Sequence, residues 1–328
     1  MKKILLSLII LALPLCGYAQ ITMSHAADKI VKEPEKVPYD STKNYLWDKN
    51  VTSYVGQLLY VNGKSDILRD YGYDNFKTIR EAGVTDHRYG QPSTSSSFNT
   101  KYEDLVGKYF IVKEVYPDSR QNNYTGLYKY EWWFLLENRD DPEDTVWFKY
   151  DGQFKHTFPF ITISYFNYIK ENKKGVKFVS SYSYKDEKLR TRVNEHDFHT
   201  GEEITQSLDD KWECIDVTIE DKYYDLVYVV RNQRGNVSTI NVEITEPIAN
   251  GVQYVFTDEE YGEMVKKFGK SNANRVLQHK VGVGMPETLV ILSWGKPDKI
   301  NRSSSGSDQW VYDNQYVYVE NGVVTAWN

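Results

Sequence analysis

The chain has 328 residues, with 40 Lys+Arg against 46 Asp+Glu for a formal charge of −6, and 15% of its residues are aromatic, 27 of them Tyr and 8 Trp. An acidic balance of this size argues against a nucleic-acid partner, and two cysteines are too few for a disulfide framework. Beyond the N-terminus no apolar run is long enough to cross a bilayer as a helix, so no transmembrane helix is expected in the mature chain.

Lys2 and Lys3 precede an apolar run from Ile4 to Leu15, and Gly17-Tyr18-Ala19 supplies small residues where a signal peptidase reads. Residues 1–19 are therefore expected to be a secretory signal, with export to the periplasm, the outer membrane or the medium. Cys16 raises a lipoprotein alternative, but bulky Leu15 stands where a lipobox needs a small residue, so cleavage after Ala19 is the reading taken. The mature chain then carries 38 basic against 46 acidic residues, a balance of −8. Cys214, left alone and in the alternating run Trp212-Glu213-Cys214-Ile215, reads as a buried, inert thiol.

Residues 20–44, rich in Lys, Glu and Pro, read as a solvated tether. From Tyr45 to about Glu246 the chain is rich in Tyr, Val and Phe, with short alternating runs between turn clusters, which describes a β-dominated region. A gapless repeat aligns Val55-Gly56-Gln57-Leu58-Leu59-Tyr60-Val61 with Val106-Gly107-Lys108-Tyr109-Phe110-Ile111-Val112, and Gly175-Val176-Lys177-Phe178-Val179 is a fainter echo. Hairpins are expected from Tyr128 to Tyr150 around the acidic turn 140–144, and from Tyr224 to Ile244 around Gln233 to Asn236. These features divide the region into three β modules, 45–100, 101–169 and 170–256, each a small SH3-like barrel or rolled sheet, with seams at Gln91 to Asn99 and Lys170 to Lys174. A glycine is required at 107 by the repeat, and less so at 175.

Few residues in this region carry a chemical signature. His196-Asp197-Phe198-His199 lacks a third ligand at a known spacing and reads as a solvated loop, and Gly63-Lys64-Ser65 and Gly269-Lys270-Ser271 lack the first glycine of a phosphate loop. No cofactor, metal or catalytic residue is assigned. Trp132 and Trp133 are the candidate binding residues, because adjacent positions on a strand point to opposite faces and one of the two must leave its module's core.

Thr257-Asp258-Glu259-Glu260 is a capping box opening a helix with Tyr261, Met264, Val265 and Phe268 on one face, and it places the start of a last domain, 257–328. A short helix over Asn272 to Gln278 follows. Pro286 then suits the first turn of a helix whose apolar face runs from Leu289 to Trp294 and which Gly295 and Pro297 terminate. Three short strands come next, Gln309 to Tyr312, Gln315 to Val319 and Val323 to Trp327, and Asn321-Gly322 between the last two is a strong hairpin signal. The expected fold is mainly β, with tandem small barrels ahead of an α+β domain whose helices pack on a three-stranded antiparallel meander.

Val283-Gly284-Met285, the helix to Trp294, Gly295-Lys296-Pro297, Gln309-Trp310-Val311-Tyr312 and Asn321-Gly322 resemble the SmpA/OmlA family of small lipoproteins. That family includes BamE-like proteins and shares its layout with the β-lactamase-inhibitor-protein fold. The match covers roughly a seventh of the chain. It departs from the family where Pro286 replaces the usual Ser or Thr helix cap, so that helix must be capped from elsewhere. The resemblance implies an envelope protein, and Gly284, Met285, Trp294, Gly295, Pro297, Trp310, Tyr312, Asn321 and Gly322 are expected to be structural. Two functions follow. The first is a non-enzymatic exported protein that binds a protein partner in outer-membrane or cell-surface assembly. The second is a glycan-binding or glycan-active protein with an aromatic platform on its β modules.

Overall fold

The computed structural model describes residues 37–46, 50–83, 87–122, 130–185, 187–208, 210–304 and 306–328. The expected signal with Cys16, and the first part of the expected tether, lie outside them. The fold is mainly β, as expected, and closes on helices followed by strands.

Strands β1 (Leu58–Val61), β2 (Phe76–Lys77), β3 (Tyr109–Pro117), β4 (Glu131–Asn138), β5 (Asp141–Asp151) and β6 (Phe160–Thr162) form one antiparallel sheet in the order β2-β5-β4-β3-β1-β6, and a short helix, α1 (Asp66–Arg69), follows β1. Alternation sends Phe110, Phe134, Phe148, Tyr150 and Phe160 to one face, where they enclose Tyr54, Tyr73 and Phe76 in a single core. The rings tilt against one another, Phe148 and Phe160 edge-on at 5.0 Å and Phe134 and Tyr150 at 5.2 Å, a geometry that aromatic quadrupoles favour.

Residues 45–100 and 101–169 are consequently not two modules. The reason lies in the repeat, whose two copies pair with each other. Gly56 N donates to Val112 O at 2.7 Å and Val112 N to Gln57 O at 3.0 Å, while Gly107 N donates to Val61 O and Val61 N to Lys108 O. The copies clasp each other about a local two-fold, so the similarity that reads as tandem barrels marks neighbouring strands. The Gln91 to Asn99 seam is a loop fastened to the same unit, through Ser95 N on Asp70 O and Lys101 N on Gln91 O. The acidic stretch 140–144 belongs mostly to β5, the turn being Arg139-Asp140. The end of the expected tether also packs here. Tyr39 lies 5.5 Å from the Tyr54 ring, and the Asn44 carboxamide bonds Phe160 O and Thr162 N, closing the outer edge of β6.

Helix α2 (Ile163–Lys173) leads into the second unit and occupies the seam expected at 170–174. Strands β7 (Lys177–Ser180), β10 (Trp212–Ile219), β11 (Leu226–Arg231), β12 (Val237–Asn241) and β13 (Val255–Thr257) form a sheet in the order β12-β11-β10-β7-β13, and β8 (Tyr182–Lys185) and β9 (Lys188–Thr191) make a separate hairpin. Its front face buries Phe178, Trp212, Tyr228 and Ile240 against Ile169 of α2. Its back face sends Val179 and Phe256 into the core of the C-terminal unit.

Helices α3 (Asp258–Phe268), α4 (Lys270–Leu277) and α5 (Glu287–Trp294) share that core with strands β14 (Lys299–Asn301), β15 (Ser307–Tyr312), β16 (Gln315–Glu320) and β17 (Val323–Trp327), which pair in sequence order. The sheet has four strands rather than three, because Lys299–Asn301 pairs with Val311 to Gln309. The capping box forms, with Glu260 N on Thr257 Oγ1 at 3.1 Å and Thr257 N on Glu260 Oε2 at 2.7 Å. Pro286 is the N-cap of α5 rather than its first helical residue. The free N–H of Glu287 is taken by Gly322 O at 2.9 Å, so the turn between β16 and β17 supplies the cap that Pro286 lacks.

Candidate binding site at the junction of the first two sheets

Trp132 and Trp133 do point to opposite faces of the first sheet, and neither forms an exposed platform. Trp132 packs against the core side, opposite Tyr150, and its enclosed Nε1 has no hydrogen-bond partner among the described residues. Trp133 lies on the outer face yet is only 1% exposed, with Nε1 donating to Asp118 Oδ2 at 3.0 Å. Asp118 is itself held by Arg120 through Nε at 2.8 Å and through the backbone N–H at 3.0 Å. The pair is a buried anchor.

The residues that carry the SmpA/OmlA resemblance sit in the C-terminal unit. Gly284 (φ 83°) donates to Val324 O, Met285 is fully buried, and Trp310 is buried at the centre of the sheet. Trp294 is half-buried, gives its Nε1 hydrogen to His279 O at 2.8 Å and meets Tyr312 edge-on, whose hydroxyl donates to Gly295 O. Gly295 caps α5 with φ 88° just ahead of Pro297, and Asn321 and Gly322 both have positive φ.

The loop at His196 to His199 is a turn organised by Asp197, whose Oδ1 accepts from His199 N and Thr200 N and whose Oδ2 accepts from Val237 N. Those backbone bonds from Thr200 and His199 hold its carboxyl below the usual range. Among the described residues no group of three His, Cys, Asp or Glu is placed to hold a metal ion. Cys214 is buried and its thiol is pushed up to about 11, chiefly by burial and then by Asp216.

A cleft of about 690 Å³, within the size range of ligand sites, lies where the first sheet meets the second. Its centre is Tyr224, in the turn between β10 and β11. Tyr224 has φ 63°, a left-handed conformation that an aromatic residue adopts only when held. Three restraints hold it. Glu220 accepts from the backbone N–H groups of Lys222, Tyr223 and Asp225, Asn62 Nδ2 donates to Tyr224 O at 2.7 Å, and Arg69 Nη2 donates to Tyr224 Oη at 3.0 Å. The Arg69 guanidinium lies over both the Tyr224 and Tyr102 rings, 5.7 and 5.3 Å from their centroids.

Two of the cations on the walls are already engaged. Lys64 donates to Gly72 O at 2.6 Å and lies over Tyr73, with burial lowering its pKa and Asp74 opposing that shift. Lys155 is paired with Glu243 at 2.5 Å. Asn62 Oδ1 is buried and has no partner among the described residues. Asp225 takes one bond from Asn241 Nδ2, and burial, then Glu220 and Glu243, raise its pKa, so an unmet positive charge would be favoured beside it. Phe154, half exposed, stands at the mouth beside His156.

On the first sheet's side of this junction the segment from Asp66 to Tyr71 turns three apolar side chains outward. Ile67 is 82% exposed, Leu68 49% and Tyr71 54%, and Phe98 (46%) stands on the adjoining loop, which Asn99 Nδ2 ties to Tyr71 O. Sequence reading missed both features. Tyr224 lies about 160 residues along the chain from Gly63 and Ile67 and shares no periodicity with them, and the visible signal was an apolar pair, Ile67-Leu68, bracketed by Asp66 and Asp70.

Comparison with family models, with curated proteins and with solved structures finds no match to this chain.

Proposed function

We propose that this is a non-enzymatic exported protein of the cell envelope or medium that binds a protein partner through the junction of its first two sheets. The single observation that carries the reading is the outward-facing Ile67, Leu68 and Tyr71 on a segment fixed at both ends, since grouped exposed apolar side chains mark interaction surfaces far more often than isolated ones do. The SmpA/OmlA-like pattern of the C-terminal unit and the signal-like residues 1–19 support an envelope setting. Affinity capture with the full chain from solubilised envelope, paired with mass measurement of the exported protein, tests it. A mature chain beginning at Gln20 and a stoichiometric protein partner are expected, and a cytoplasmic, uncleaved chain or an empty column would sink it.

A second reading is glycan binding, favoured by Phe154 and Tyr224 at the cleft, where aromatic faces stand beside hydrogen-bonding groups. Retention on a polysaccharide column that Phe154→Ala abolishes would establish it in place of the first.

A further inference from the structure

We infer that the partner surface is a basic polypeptide surface with an apolar socket, which receives Ile67, Leu68 and Tyr71 and sets its cations against Asp70, Asp74, Asp225 and Glu246. The inference rests on the protein-binding reading and adds the chemistry of the occupant.

The apolar segment is built rather than loose. Arg69 bonds Lys64 O and Tyr224 Oη and pairs with Asp66 at 2.9 Å. Ser95 N donates to Asp70 O, and Gly72 lies so close to the chain that an added Cβ would stand 2.0 Å from Thr100 O. A segment held this firmly has no packing reason to present Ile67 at 82% exposure, and holding it in place beforehand lowers the ordering cost of binding.

The charge around it selects the occupant. Asp70, Asp74, Asp225 and Glu246 make no ion pair among the described residues, whereas Arg69, Lys155 and Lys64 are bound to Asp66, Glu243 and Gly72 O, and Lys222 lies over the Tyr223 ring. Carboxylates without ion-pair partners repel anionic lipid headgroups and nucleic-acid phosphates. The same carboxylates steer and orient a basic protein surface.

The test places a photo-reactive amino acid at position 67 of the full chain, with the same probe at position 55 as a control, and irradiates intact cells that export the protein. Val55 is also exposed (42%) but lies at the opposite end of β1. A cross-link from position 67, absent from position 55, to a polypeptide segment of net positive charge is expected. Its yield should fall about tenfold when Asp70, Asp74 and Asp225 are changed to Lys, with melting temperature unchanged. Cross-links to lipid or to an acidic segment, equal yields from 55 and 67, or no cross-link at either position overturn the inference. Should affinity capture still return a partner in those cases, the protein-binding reading stands and only its site and chemistry fail.

Discussion

The Tyr224 ring lies against the α-carbon of Gly63, so that a methyl group at position 63 would stand 2.0 Å from Cδ1 and 2.2 Å from Cε1 of that ring. Gly63 therefore serves to admit an aromatic side chain from the other sheet, and its place in a Gly-Lys-Ser triplet has nothing to do with phosphate. Gly63→Ala should force the two sheets apart at this point and cost about 1 to 3 kcal/mol, the range of an overpacked contact. Urea denaturation of Gly63→Ala, Tyr224→Ala and the double variant checks it. The double variant should lose less than the two single losses combined, because the clash is gone once the ring is removed. Additive losses would show that the contact does not restrain the junction.

The three glycines of the repeat carry a related prediction. Gly56, Gly107 and Gly175 have φ of 86°, 77° and 84°, with no atom within 4 Å of a built Cβ. Gly175 N donates to Cys214 O and Cys214 N to Val176 O, the same clasp that Gly56 makes with Val112. The sequence-based expectation that Gly175 matters less than Gly107 has no structural basis. Valine at 107 or at 175 should destabilise by a similar amount, about 1 to 2 kcal/mol from the left-handed backbone alone, which thermal melts of the two variants would compare directly.

Legibility followed the range of the interaction. The capping box at Thr257, the stop at Gly295 and the Asn321-Gly322 turn are decided within a few residues, and each was readable. The first two β modules were misread because pairing of Leu58 to Tyr60 with Ile111 to Tyr109 is a long-range event that resembles a duplication when seen as a string. Helix α2 escaped notice because Tyr165, Phe166, Tyr168 and Ile169 are strand formers by propensity, and burial against Phe178 and Tyr228 overrides that preference. The junction at Tyr224 was invisible, since its partners Asn62, Gly63 and Arg69 belong to another unit.

The Asn321-Gly322 turn holds two things at once. Its positive φ values, 51° and 76°, close the hairpin, and Gly322 O caps Glu287 N of α5. Gly322→Val should cost about 1 to 2 kcal/mol from backbone strain, and more if the cap is lost with it. Trp310→Ala, which empties the centre of the same core, should cost about 3 to 5 kcal/mol. Trp294→Phe, which removes only the bond to His279 O from a half-buried ring, should cost about 1 kcal/mol. Denaturant midpoints for the three would give this order, and a Trp294→Phe loss as large as that of Trp310→Ala would overturn the ranking.

Asp118 gives the fold a dependence on acid. Burial alone would raise its pKa, but hydrogen bonds from the Arg120 side chain and backbone and from Trp133 Nε1 outweigh burial and bring it down to about 2. A carboxyl whose folded value lies below its unfolded one stabilises the fold fully above the unfolded value, about 4, and the contribution disappears as pH falls toward the folded value. A depression of this size corresponds to about 2 kcal/mol at neutral pH. Asp118→Asn removes the charge while keeping an acceptor for Trp133, so the variant should be weaker than the parent by about that amount at neutral pH. Between about pH 4 and pH 2 the gap should close. Tryptophan fluorescence during urea unfolding at a series of pH values measures both chains, and a gap that stays constant down to acid would mean that Asp118 holds Trp133 by shape rather than by charge.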